Sequence, residues 1–345
     1  MTLRVGVVGA GFGERIHVPA LRRAGCRVEW ICSAHAGRAA AAARRARVGR
    51  WFDDWRRAVR DPRTDAVAIA VPPERQAAIA IGALRAGKAV FCEKPLAVNL
   101  VTARRLAAAA RASRGRANTV DFELPEAPEW RKTRELLKKG RIGRLRHFDV
   151  RWDIETYACR ERLNDSWKTR SGSGGGALSL FVSHSFHYAE WFGGPLREIS
   201  CRLFSGTDQP GPSDTLVRIA GTFRSGAAFT LSMSIQSFLG TGHRLSFYGS
   251  GGTLILENTG SDYVRGFELR LGTRRSGAFR TVSRPRSFPR EDGRIVAVAS
   301  LAKRFARWAN GGARVHPDLA DGLRVQTLLE AAHRSNALDG RRVRV

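Results

Sequence analysis

No run of about 18 apolar residues occurs in the 345-residue chain, so no membrane-spanning helix is expected. Leu3 to Val8 already reads as a buried strand, which leaves no room for a signal peptide and points to the cytoplasm. Cysteine is sparse: Cys26, Cys32, Cys92, Cys159 and Cys201 are odd in number, widely scattered and form no CxxC pair. Reduced thiols are expected, with neither a disulfide framework nor a metal site. Acidic residues are the third shortage, 31 against 59 Lys and Arg, for a net charge of +28. The basic residues are not gathered into a patch or tail. They run through Ala/Arg-rich stretches such as "AGRAAAAARRARVGR" at 36–50 and "AAAARASRGR" at 107–116. Without a recognition helix, finger or aromatic-interleaved basic strand, no specific nucleic-acid partner is expected. The charge can still draw small anions toward a cleft.

Apolar content of 43% and charged content of 26% are those of a soluble globular chain, long enough here for two cores. Over the first 120 residues, short apolar runs ("LRVGVVGAG", "CRVEWICSA", "DAVAIAVPP", "KAVFCEKP") alternate with helical stretches of 10 to 15 residues. That alternation predicts an α/β domain at 1–120, with a doubly wound parallel sheet of the Rossmann type. Residues 121–345 are expected to form an α+β domain. There, "VRIAGTFRSGAAFTLSMSI" and "HRLSFYGSGGTLILEN" alternate as antiparallel strands of a large open sheet.

The first strand runs into "GAGFGERIH". Gly9 and Gly11 lie between a strand and a helix, where backbone N–H groups approach a pyrophosphate, with Phe12 and Gly13 completing the turn. The third small residue of G-x-G-x-x-G is replaced by Glu14, and Gly13 sits one position early. At the end of the second strand an NAD site usually carries Asp or Glu. This chain has Ser33, Ala34 and His35, with Arg38 close behind and no acid before Asp53. That set suits a 2′-phosphate, so NADP is expected, with NAD as the alternative. Solvated loop residues would look much the same.

With "GKAVFCEKPLAVNL" at 87–100, the chain resembles the glucose-fructose oxidoreductase / inositol dehydrogenase / rhizopine-catabolism (Gfo/Idh/MocA) family. The likeness spans nearly the whole chain. It takes in the glycine loop, the Val71-Pro72 turn, Glu93-Lys94-Pro95, "GGGALSLFVSH" at 174–184, "FYGSGGTLILE" at 247–257 and the "DGLRVQTLLEAAHRSNALDGRRVRV" ending. The resemblance implies a hydride transfer between a nicotinamide cofactor and a secondary alcohol or ketone of a sugar, sugar derivative or cyclitol. It implies a cofactor pocket that also takes in Val71, Pro72, Glu93 and Lys94. Lys94 would hold the substrate oxygen beside the nicotinamide, and His184 would exchange its proton. It further implies a homodimer or homotetramer and no metal.

The second half departs from the family pattern GGG-x-x-x-Asp-x-Gly-x-His-x-x-Asp. Gly174, Gly175, Gly176 and His184 are present, but Leu180, Val182 and His187 replace the Asp, the Gly and the last Asp. His187 lies three residues beyond His184 and shares its expected helix face. Asp121-Phe122-Glu123 stands where the family commonly has Asn-x-Arg, and Trp167, Lys168 and Arg170 fall where it puts part of the substrate wall. Two alternatives therefore stay open: a non-catalytic sensor that binds NADP and a sugar, and a domain whose two histidines are structural.

Overall fold

The computed structural model describes residues 1–345 except 164–165, 207–210, 261, 263 and 285–290. The chain divides into two compact units, Met1–Glu123 with Arg294–Gln326, and Leu124–Gly293 with Thr327–Val345.

Among the described residues, the first unit contains strands β1 (Arg4–Val8), β2 (Arg27–Cys32), β3 (Trp51–Phe52), β4 (Ala66–Ile69), β5 (Ala89–Cys92) and β6 (Asn118–Val120). They form one sheet in the order β3-β2-β1-β4-β5-β6, with every pairing parallel. The central strands are continuous Val, Ala, Ile and Phe runs because both their faces are covered. Gly6 interrupts β1 because a Cβ there would lie 2.0 Å from the Trp30 ring. The helices Pro73–Arg85 and Leu100–Ala112 start on clear signals. Pro73 opens the first, and Asn99 accepts from Thr102 N at 2.9 Å to cap the second.

The helix Arg294–Ala309 follows the second sheet in the chain yet belongs to the first unit. Its buried Val298, Leu301 and Phe305 join Val5, Ile16, Leu21 and Phe91 in one core. A division drawn along the chain at residue 120 places this segment in the second domain. Its apolar stripe groups it with the first sheet instead.

The second unit holds β7 (Leu145–Asp153), β8 (Leu196–Phe204), β9 (Leu216–Phe223), β10 (Ala228–Ser234), β11 (Gly242–Gly249), β12 (Gly252–Asn258), β13 (Glu268–Thr273), β14 (Phe279–Ser283) and β15 (Val343–Arg344). Their order is β14-β13-β12-β11-β7-β10-β9-β8-β15. All neighbours are antiparallel except β7 and β10. Alternation along β7 turns Phe148, Val150 and Trp152 into the core, where Phe223, Phe229 and Phe247 meet them. Both expected domain types are present. Among the described residues no helix is long and apolar enough to cross a membrane, and all five cysteines are free.

Candidate active site

The glycine loop explains its own irregularity. Gly9 has φ +128°, and a Cβ there would lie 2.2 Å from the Ala70 carbonyl oxygen at the end of β4. Gly11 is exposed, and a Cβ there would meet nothing within 4 Å, which leaves its backbone open to a ligand. Residues Gly13–His17 form a π-helical turn before the helix Val18–Arg23. A π-turn accommodates one extra residue, so Gly13 takes the packing position against the strand, 2.9 Å from Val7 Cγ1 once a Cβ is added. Glu14 is turned aside: Arg45 donates from Nε and Nη2 to its two oxygens at 2.7 and 2.6 Å. The loop thus fits a pyrophosphate without a carboxylate facing it.

Ser33 is half-buried beyond β2 and donates its N–H to Phe52 O at 3.1 Å. His35 and Arg38 are exposed at the start of the helix Ala36–Arg45. Asp53 and Asp54 follow the neighbouring β3, and Asp54 caps a helical turn by accepting from Arg56 N at 2.8 Å. Val71 and Pro72 lead into the helix Pro73–Arg85, and Pro72 is its N-cap.

The carboxyl ends of β5 and β6 gather the titratable groups. Pairing of Cys92 with Val120 sets Glu93 beside Asp121, and Asp121 N donates to Cys92 O at 2.8 Å. Buried Gln76 donates to the carbonyls of Glu93 and Pro95 at 2.5 and 3.0 Å and ties down the segment that carries Lys94. His17, wholly buried, places Nε2 2.8 Å from Glu93 Oε1 and 3.4 Å from Asp121 Oδ2. Its ring meets Phe12 and Phe91 edge-on.

Burial opposes charge on His17, but Asp121 and Glu93 more than offset it and raise its pKa to about 9. Burial lifts Asp121 to about 7 despite His17, and burial with Asp121 and Glu93 alongside lifts Glu123 to about 8. Burial acts against charge on Glu93 too, yet its bond to His17 keeps it below the usual carboxylate range. Lys94 is half-buried, and desolvation lowers its pKa against the pull of Glu93, Glu123 and Asp121.

In the second unit the triple glycine has a packing cause. A Cβ on Gly175 would lie 2.4 Å from Lys168 O and 2.6 Å from Trp167 O, and one on Gly176 (φ +92°) would lie 2.4 Å from Asp214 Oδ1. Trp167 is half-buried, while Lys168 and Arg170 are exposed on the same turn. Buried Asp214 accepts from Leu178 N at 2.7 Å, so a carboxylate anchors the start of this segment although residue 180 is leucine. Leu178–Val182 is a second π-helical turn, leading into the helix Ser183–Gly193 with His184 buried and His187 half-buried. Tyr188 on this helix bonds Ser185 Oγ at 2.8 Å and His243 Nε2 at 2.9 Å, and His243 stacks on Trp152 at 4.0 Å. The sequence does not single out His17, Gln76 or Asp214, and marks Glu123 only through the Asp121-Phe122-Glu123 stretch. His17, Gln76 and Asp214 each take their role from partners distant in the chain, which no local pattern announces.

A doubly wound sheet with such a loop defines a dinucleotide-binding enzyme fold. Residues 3–122 match the model of an oxidoreductase family with an NAD-binding Rossmann fold, and residues 130–255 match the Gfo/Idh/MocA C-terminal domain. An uncharacterised oxidoreductase of Synechocystis sp. is 28% identical over 95% of this chain and 92% of its own length. Inositol 2-dehydrogenase 2 of Saccharopolyspora erythraea is 35% identical over 42% of this chain and 43% of its own. The solved levoglucosan dehydrogenase, in complex with NADH and levoglucosan, superposes with a TM-score of 0.89 over 100% of both chains at 24% identity. The chain belongs to the Gfo/Idh/MocA family of NAD-binding oxidoreductases.

Because its folded pKa lies above the free value of 6.5, His17 contributes stability that is full below about pH 6.5 and is lost as pH rises through about 9. Urea unfolding should therefore show wild type exceeding His17→Gln by up to about 3 kcal/mol near pH 6, with the gap closing above pH 9. A gap that is independent of pH would contradict a charged His17.

Proposed function

We propose that this oxidoreductase moves a hydride between NADP and a secondary alcohol or ketone of a sugar, sugar derivative or cyclitol, within the cytoplasm. The observation that carries the reading is Lys94 at the carboxyl end of β5, lodged among Glu93, Asp121 and Glu123, outside strand ends where doubly wound folds collect their ligands. The inositol and levoglucosan dehydrogenases among its relatives support the substrate class. Free cysteines suit a reducing compartment.

Gly9, Gly11, Phe12 and Gly13 would hold the pyrophosphate, Ser33, His35 and Arg38 the 2′-phosphate, and Val71, Pro72, Glu93 and Lys94 the nicotinamide end. When bound, the nicotinamide supplies the hydride acceptor or donor. Lys94 orients the substrate oxygen and stabilises charge on it. His184 takes or returns the hydroxyl proton, with His187 three residues along the same helix as its support. Asp121, Trp167, Lys168 and Arg170 would contact the polyol. The outer face of the nine-stranded sheet is the surface for a homodimer or homotetramer.

Arg38, with Ser33 and His35 at the end of β2, predicts that calorimetry finds NADPH bound more tightly than NADH. Arg38→Ala should weaken NADPH about tenfold or more and leave NADH unchanged; tighter binding of NADH would reverse the assignment. In assays of myo-inositol, levoglucosan and free aldoses with NADP⁺, Lys94→Ala and His184→Ala should each lower turnover about 100- to 10,000-fold with NADPH affinity intact. A polyol that binds without hydride transfer, equally well in both variants, would replace the enzyme with a sensor.

A further inference from the structure

The helix Ser183–Gly193 carries its two histidines in a row that runs on to an aromatic ring. His184, His187 and Trp191 stand at i, i+3 and i+7, which puts them on one side of the helix. His187 and Trp191 are its half-buried members. A cation covers the end of this row. The Arg134 guanidinium, from the helix Pro128–Lys138, lies 4.3 Å from the centre of the Trp191 ring.

Three basic neighbours of Arg134 in sequence find acids. Arg131 pairs with Glu126, and Lys132 and Lys139 reach Glu135 at 3.1 and 2.6 Å. Among the described residues no carboxylate pairs with Arg134, and its buried Nε has no hydrogen-bond partner. Stacking on indole offsets only part of the cost of taking a guanidinium out of water. It also holds the planar group in one orientation, so that its remaining N–H groups form a fixed fork of the kind that matches a carboxylate or phosphate edge.

We propose that Arg134 is a specificity-determining residue: it binds the carboxylate or phosphate of an anionic sugar whose reacting hydroxyl lies at His184. The inference rests on the reading that His184 exchanges the substrate's proton, and it narrows the substrate class to sugars that carry a negative group. Trp191 lies seven residues beyond His184, about 10 Å along the helix axis. A long arginine side chain and a pyranose ring with a charged substituent span that distance between them. An unsubstituted cyclitol leaves the guanidinium without a counter-ion. The net charge of +28 favours the same sign of ligand.

The test is calorimetric titration of the full chain, saturated with NADPH, with matched sugars: glucose, glucuronate and glucose 6-phosphate, then galactose and galacturonate. The anionic sugars should bind about 10- to 100-fold more tightly than their neutral counterparts. A larger gain for the phosphate ester assigns the site to phosphate, and a larger gain for the uronates assigns it to carboxylate. In Arg134→Gln the ratio of anionic to neutral affinity should fall toward one. Arg134→Lys keeps the charge but loses the stacked fork, so its ratio should fall severalfold, and it decides the matter if the glutamine variant does not fold. Equal affinity for neutral and anionic sugars in the wild-type protein overturns the proposal without any variant. A preference that is unchanged in the folded variants overturns it too, by moving the anion elsewhere. If neutral sugars are oxidised and charge makes no difference, this inference alone falls. If no sugar, charged or neutral, binds or is oxidised, the reading of His184 falls and this inference with it.

Discussion

A buried imidazole held between two carboxylates fastens the glycine loop to the ends of β5 and β6. His17 Nε2 faces Glu93 at 2.8 Å and Asp121 at 3.4 Å; His17 and Asp121 are buried, and Glu93 keeps 15% of its side chain exposed. Burying any one of these charges alone would cost several kcal/mol, so each depends on the others. Glu93 precedes Lys94, so whatever holds Glu93 also limits where the ammonium stands. Gln76 adds the backbone restraint, bonding the carbonyls on either side of Lys94. Loop, strand end and lysine therefore form one rigid piece of the first unit. Such rigidity is what the proposed hydride transfer requires of the group that would orient its substrate.

Much of this fold was legible in the sequence. Val- and Ala-rich runs between helices of regular length specify a parallel sheet, because only strands covered on both faces can be apolar throughout. The grouping of the Arg294–Ala309 helix with the first sheet was not legible, since its partners Val5, Ile16 and Phe91 lie some two hundred to three hundred residues earlier in the chain. Nothing local announces that pairing. Glu14 was the visible irregularity, and its cause was hidden: a π-turn adds a residue without any compositional mark, and Arg45 lies a full helix further on.

The site shows the same division. Glycines at 174–176 stand out in a sequence, and the structure adds what they approach, the 167–168 backbone and Asp214. His17 escaped notice because a lone histidine in an apolar stretch looks like any core residue. Its meaning comes from Glu93 and Asp121, which only the parallel register of β5 and β6 places side by side. The departures from the family pattern take on a common sense in this light. The chain lacks a carboxylate at Leu180 and carries two at Asp121 and Glu123, where the resembled pattern has an amide and a guanidinium. Carboxyl groups are thereby concentrated at the strand ends of the first unit.

In the proposed function these strand ends face the reacting carbon of the nicotinamide. A crystal structure of the protein with NADP⁺ and myo-inositol or levoglucosan tests it most directly. The expected result is the pyrophosphate over Gly11, the nicotinamide outside the carboxyl ends of the strands, and Lys94 Nζ within hydrogen-bond distance of a substrate hydroxyl. A nicotinamide bound away from Lys94, or a glycine loop that takes no phosphate, would contradict it.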